Sequence, residues 1–275
     1  MRPLVLSLRQ RPEQRLDLSP LVPHLLARKT AAEIERIELQ TTKQRVSVGD
    51  AFRLKFGDAN QIRVEGACDR LDRVGEELSD GEIRVEGDVG IRVGRAMRGG
   101  RLMIAGNAGV WAGSGMRGGS IEIAGTAGER LGGPLPGETL GMRGGTLLVR
   151  GNAGARAGDR MRRGLIIIEG RAGANAGSRM IAGTLILCRN CGAMPGYLMR
   201  RGTIVVGGEC EELAPTFVDC GSHRLVAMRL MARFAAQLSR RAAMLMSGSL
   251  RRLAGDMAVV GKGELLVHEP AGDRS

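Results

Sequence analysis

The stretch that decides the fold is Met97–Gly115, MRGGRLMIAGNAGVWAGSG, followed at once by a second copy that opens MRGGSIEIAG at Met116–Gly125. Read outward, the same opening returns as Met142-Arg143-Gly144-Gly145, Met161-Arg162-Arg163-Gly164 and Met199-Arg200-Arg201-Gly202, with Met180 and Leu78 in the same place in two further copies. The copies step by 19 residues, except for one step of 26 that carries a seven-residue insert at Gly133 to Thr139. Glycine stands three after every start, from Gly81 to Gly202, and only aliphatics stand five and seven after it, as in Leu102/Ile104, Ile121/Ile123 and Ile166/Ile168. A spacing of two places both on one face of a strand. Glycine returns nine after the start, at Gly87, Gly106, Gly125, Gly151, Gly170 and Gly208, and again sixteen after it, so each copy reads as one short strand and two glycine corners. Such a unit cannot cover its apolar face alone, whereas stacked copies align equivalent positions about 4.8 Å apart. The spacing predicts an all-β chain, a right-handed parallel β-helix (solenoid). An earlier coil, with Ile62, Val64 and Gly66 set 21 before Ile83, Val85 and Gly87, brings the number to about eight rungs. A left-handed hexapeptide helix wants a period near 18, and calcium-binding nonapeptide rolls need an aspartate in each turn.

A solenoid needs capped ends. Residues 1–56 read as a mixed N-terminal cap, with a strand near Leu4 to Leu8 and helical stretches around Pro20 to Ala27 and Ala31 to Arg36. Residues 57–221 form the glycine-rich β-helix. Residues 222–275 read as a C-terminal cap: one helix N-capped by Ser222, with Leu225, Met228, Met231, Ala235, Leu238, Ala242 and Leu245 along its stripe, then a strand near Met257 to Val267.

Of the 43 glycines among 275 residues, those columns account for 19. Aromatics make up only 2%, which argues against a nucleic-acid stacking platform. The net charge of +12 comes from an arginine-rich composition with only four lysines and favours an anionic partner, substrate or protein neighbour. The first 15 residues lack the apolar core of a signal peptide, and no segment has the roughly 20 apolar residues of a membrane span, so the expected location is cytoplasmic, with no membrane or nucleic-acid partner.

Most chemistry-like motifs dissolve into the repeat. Cys188-Arg189-Asn190-Cys191 has a CxxC spacing, but Cys191 and Cys210 occupy the small-residue column of Ala108, Ala127, Ala153 and Ala172. Gly113-Ser114-Gly115-Met116-Arg117-Gly118 matches a dinucleotide fingerprint, yet a strand rather than a helix should follow it. His24, His223 and His268 are scattered over the terminal regions. No catalytic, cofactor-binding or metal-ligating residue is assigned. Two surface features remain. Arg98, Arg117, Arg143, Arg162 and Arg200 form a column one after each start, interrupted by Ile181, read either as an anion-facing or subunit-facing strip, or as arginines fanned out into solvent or paired within the chain with Glu82, Glu122 or Asp159. Six after the start, on the outward side of the strand, stand Leu148, Ile167, Ile186 and Val205, to be covered by another protein at an interface or by the chain's own C-terminal helix.

With the copies read as M-R-G-G-x-L-x-I-x-G-x-A-G-x-x-A-G, and with the spacing Gly106-x-x-Gly109-x-x-x-Gly113 repeated at Gly151-x-x-Gly154-x-x-x-Gly158 and Gly170-x-x-Gly173-x-x-x-Gly177, the sequence resembles the C subunit of formylmethanofuran dehydrogenase and of the bacterial formyltransferase/hydrolase complex. That β-helix is similar to the C-terminal domain of the glutamate synthase large subunit. The resemblance covers about Gly57 to Gly208, and the arginine-rich composition favours the bacterial complex. It implies a non-catalytic scaffold subunit. Its partners would be amidohydrolase-like, formyltransferase and molybdopterin-subunit-like proteins, which together move a formyl group from tetrahydromethanopterin to a methanofuran-like carrier and hydrolyse it to formate. The carrier and zinc would then sit on partner subunits, and a polyglutamate-like carrier tail could meet the arginine column. The alternatives are the C subunit of a molybdenum or tungsten formylmethanofuran dehydrogenase, or a glutamate synthase-like spacer domain.

Overall fold

The computed structural model describes residues 2–41 and 43–268. The chain opens with β1 (Pro3–Leu8), β2 (Leu16–Asp17), α1 (Pro23–Leu26), α2 (Ala31–Glu35), β3 (Glu38–Leu39), β4 (Val46–Ser47), α3 (Val48–Ala51) and β5 (Phe52–Lys55). The coils follow: β6 (Asp58–Ala67), the short β7 (Leu71–Asp72), β8 (Glu82–Gly87), β9 (Arg101–Ile104), β10 (Ser120–Ile123), β11 (Arg143–Val149), β12 (Arg163–Ile168), β13 (Thr184–Leu187) and β14 (Arg201–Val206). The C-terminal part holds β15 (Val218–His223), α4 (Val226–Ala235), α5 (Arg240–Ser247), β16 (Leu250–Gly255) and β17 (Lys262–His268). Strands dominate, and 13 of them join in one mainly parallel sheet. Among the described residues no helix is long and apolar enough to cross a membrane.

The coil strands pair in the register that the columns dictate. Ile83 faces Leu102, Leu102 faces Ile121, and Ile121 faces Leu147 across the 26-residue step. A second ladder links Val89, Ala108, Ala127, Ala153, Ala172, Cys191 and Cys210 through parallel bridges. The aliphatics five and seven after each start are buried, as are Leu78 and the six methionines that open the other coils. The glycine corners follow from contact with the coil below. At Gly119 φ is +79°, and an added Cβ would lie 2.5 Å from the Gly99 carbonyl oxygen. At Gly106 the backbone is ordinary, but a Cβ would meet the Gly87 backbone at 2.5 Å. Ten after the start, side-chain oxygens add rungs between coils: the Asn107 and Thr126 N–H groups donate to Asp88 Oδ1 (2.7 Å) and Asn107 Oδ1 (2.8 Å).

Both ends differ from what the columns predict. In the first coil Ile62 and Val64 pair with Ile83 and Val85, but Ala67 rather than Gly66 lies opposite Gly87, because Gly66, at φ +69°, is the extra residue of a bulge. The ladder also exceeds eight rungs. β1 adds in parallel to β6, Leu4 against Ile62, and β17 adds in parallel to β14, Ile204 against Leu265. Antiparallel β5 covers one edge, and β16 with β15 covers the other, which blunts the open edges of the parallel ladder. The N-terminal helices are short; Thr30 caps α2 in a capping box with Glu33. The single C-terminal helix expected after Ser222 is two helices. Ser222 lies in β15 opposite Arg251, α4 begins after Leu225 without a side-chain cap, and Ser239 caps α5 by accepting from the Ala242 N–H at 3.2 Å. The final strand begins at Lys262 rather than near Met257.

Candidate interaction surfaces

The arginine column stands in register on one edge of the stack. The backbone N–H of Arg98, Arg117, Arg143, Arg162 and Arg200 each donates to the carbonyl of the opening residue one coil below, at 2.7–2.8 Å, and Ile181 keeps the same bond where the column is interrupted. All five arginine side chains are exposed. Arg163 and Arg201, one residue further along, widen the strip. The neutralising acids are engaged elsewhere: Glu122 pairs with Arg150 at 2.8 Å, Glu82 with Arg84 at 3.3 Å, and buried Asp159 accepts from Ser178 Oγ at 2.9 Å. Glu77 reaches Arg98 at 3.8 Å across solvent. Among the described residues Arg117, Arg143, Arg162 and Arg200 make no ion pair. Like charges stacked one coil apart repel each other, so this edge favours an anionic group laid along it.

The insert is fastened beside that edge. Its Glu138 accepts from Arg95 at 2.7 Å through the carboxylate and from Arg160 at 3.2 Å through the carbonyl, tying the coil two before its own to the coil after it. Arg95 also pairs with nearly buried Glu76 at 3.1 Å. Elsewhere on the stack Arg92 lies over the Trp111 ring at 6.0 Å from its centroid, a cation–π contact.

The cysteines sit as the column reading expects. Cys191 is buried, and its thiol contacts that of Cys210 on the next coil at 3.4 Å. The hydrogen bond with Cys210, then burial, raises the Cys191 pKa. Burial, reinforced by the nearby Glu169 charge, pushes Cys188 up to about 12. Thiols held protonated in this way are poor nucleophiles and poor metal ligands. Gly113 and Gly115 take positive φ at a corner, and the next element is strand β10, so the dinucleotide pattern lacks its helix. Among the described residues no three His, Cys, Asp or Glu side chains cluster to hold a metal ion.

The outward aliphatics resolve into one of their two readings. Leu148, Ile167, Ile186 and Val205 are at most 3% exposed, and Met228, Ala232, Ala235, Ala242, Leu245 and Met246 of α4 and α5 cover them. They are therefore not a docking surface for another protein; the chain seals them itself. The cover is bolted down at Glu169, which accepts from Ser239 Oγ and pairs with Arg150 at 2.9 Å. Sequence reasoning missed the outer side of that cover, where Val226, Leu230, Phe234 and Met244 face solvent. The available signal was that these apolar residues fall off the stripe assigned to the buried face.

The architecture is thus a ladder of in-register parallel strands joined in one 13-stranded sheet. No protein-family model matches the chain. It is 56% identical over 254 residues, 92% of this chain and 95% of the relative, to the Fhc C subunit of the formyltransferase/hydrolase complex of Methylorubrum extorquens. Its fold matches a chain in the crystal structure of the formyltransferase/hydrolase complex FhcABCD from Methylorubrum extorquens in complex with methylofuran, with a TM-score of 0.93, 44% identity, and coverage of 97% of this chain and 100% of that one. Weaker similarity, 31% and 36% identity over about a third of each chain, reaches the C subunits of the tungsten-containing formylmethanofuran dehydrogenase 2 of Methanococcus maripaludis and of Methanothermobacter marburgensis. The chain belongs to the family of formyltransferase/hydrolase complex C subunits.

Proposed function

We propose that this chain is the C subunit of a cytoplasmic formyltransferase/hydrolase complex and serves it as a scaffold. Amidohydrolase-like, formyltransferase and molybdopterin-subunit-like partners would carry the chemistry, moving a formyl group from tetrahydromethanopterin to a methanofuran-like carrier and releasing formate, with zinc and the carrier on those partners. The observation that carries the reading is the fold match over the full length of a chain of the FhcABCD complex. The stack, in this reading a right-handed parallel β-helix of successive coils, gives a long rigid body whose faces stay at fixed separations. The strip of Arg98, Arg117, Arg143, Arg162 and Arg200 would guide an anionic, polyglutamate-like carrier tail along one edge.

A pull-down from the source cell with this chain as bait, combined with metal analysis, tests the reading. Amidohydrolase-like and formyltransferase subunits returning with zinc and without molybdenum or tungsten are the expected result. A molybdenum or tungsten subunit returning with iron–sulfur proteins would instead assign the chain to a formylmethanofuran dehydrogenase. A stable monomer returning alone would remove the scaffold reading.

A further inference from the structure

Helix α4 is apolar on two sides. One side, Met228, Ala232 and Ala235, is buried on the sheet. The other leaves Val226 70%, Leu230 61% and Phe234 52% exposed, joined by Met244 of α5 at 77%. An apolar helix side is ordinarily covered, and single exposed aliphatics are common where a cluster of four is not. Between the helices Val226, Leu230 and Met244 line an open groove of about 1190 Å³, which Arg224, Arg229 and Arg233 also line; Phe234 is exposed outside it. From residue 224 to residue 248 the chain has five arginines and no acidic residue. The groove therefore has an apolar lining and only cationic charge.

We propose that the α4/α5 groove is the docking face for a segment of a partner protein that is apolar along its contact side and acidic along its flanks. This rests on the reading of the chain as a member of a complex given above. Charge decides the occupant. A second copy of this chain would set the same arginines against one another with no acid between them, and like charges brought together at an interface cost several kcal/mol. An acidic-flanked segment would meet them with charge-assisted bonds and cover the apolar residues of the groove, the pattern of an amphipathic segment in a groove. The groove has a fixed place on the stack, since α5 is held to the coils through Ser239 and Glu169.

The test compares tagged wild-type chain with a Leu230→Asp/Met244→Asp variant, each expressed in the source cell and recovered with its complex. Both positions are exposed, so the variant should fold with an unchanged circular-dichroism melting curve. The expected result is that wild type returns the partner subunits and the variant returns at least about tenfold less of them per chain, the loss of a hot spot at an interface centre. Wild-type partner recovery by the folded variant overturns the inference. Should that variant misfold, Arg224→Gln/Arg229→Gln/Arg233→Gln serves instead: partner release at lower salt supports the docking face, and unchanged salt dependence overturns it. Two outcomes would name a different occupant and so overturn it as well: self-association of the purified chain abolished by the substitutions, or their abolishing its co-sedimentation with phosphatidylserine-containing vesicles. Wild type returning with no partner at all removes the membership of a complex itself, a result distinct from variant and wild type behaving alike.

Discussion

The two sides of the coil strands bury the same kinds of residue by different means. On the inner side Leu147/Val149, Ile166/Ile168 and Leu185/Leu187 are sealed by the next coil and by the small-residue ladder across the stack, so every copy covers its neighbour in the same way. On the outer side Leu148, Ile167, Ile186 and Val205 are sealed by α4 and α5, a segment that occurs once and shares no pattern with the coils. Repetition makes the first seal cooperative along the stack, and the second depends on a few anchors that hold a separate piece of chain in place.

Breaking the inner seal should have the largest effect. Gly119→Val introduces a Cβ 2.5 Å from the Gly99 carbonyl at a backbone φ of +79°. The expected cost is about 4 kcal/mol or more, enough to leave the chain insoluble or unfolded by circular dichroism. Next come matched truncations on neighbouring positions of one strand. Leu185→Ala should cost about 3–5 kcal/mol because the facing coils cannot close the cavity, and Ile186→Ala about 2–3 kcal/mol because α4 and α5 can settle toward it. Equal losses in urea unfolding would show that the helical cover is as rigid as the coils. Smaller again is Ser239→Ala, which removes the α5 cap and the bond to Glu169; about 1 kcal/mol is expected, together with faster amide hydrogen exchange confined to α4 and α5. Exchange rising throughout the coils would mean that the two seals are one cooperative unit. Smallest for stability is Arg117→Gln/Arg143→Gln/Arg162→Gln, which leaves the melting curve unchanged and lowers carrier turnover by the complex at low salt. Unchanged turnover at low salt would remove the carrier-guiding role from the strip.

The repeat made the inner side readable. Because a strand's side chains alternate and each coil sits on an almost identical one, Ile83/Val85 through Ile204/Val206 identify themselves by column alone. The same logic placed Cys191 and Cys210 in a packing ladder and the arginines on one edge. It faltered where the repeat is imperfect. A bulge at Gly66 shifts the partner of Gly87 by one residue, and no column marks β1 or β17 as rungs, although both complete the parallel ladder. Ser222 has the composition of a helix cap, yet strand pairing to Arg251 holds it extended.

The stack is written in the amino-acid sequence, since a 19-residue period of glycine and aliphatics admits coil-on-coil burial and little else. The same pattern is silent on what covers Leu148, Ile167, Ile186 and Val205, because an outward apolar column is equally satisfied by a partner or by the same chain. That question is answered in three dimensions, where α4 and α5 fold back onto the face and move the unsatisfied apolar surface one layer outward to Val226, Leu230, Phe234 and Met244. The physical reason is one of range: strand alternation and coil spacing act between neighbours in a regular lattice, whereas covering a face depends on where a distant, non-repeating segment comes to rest.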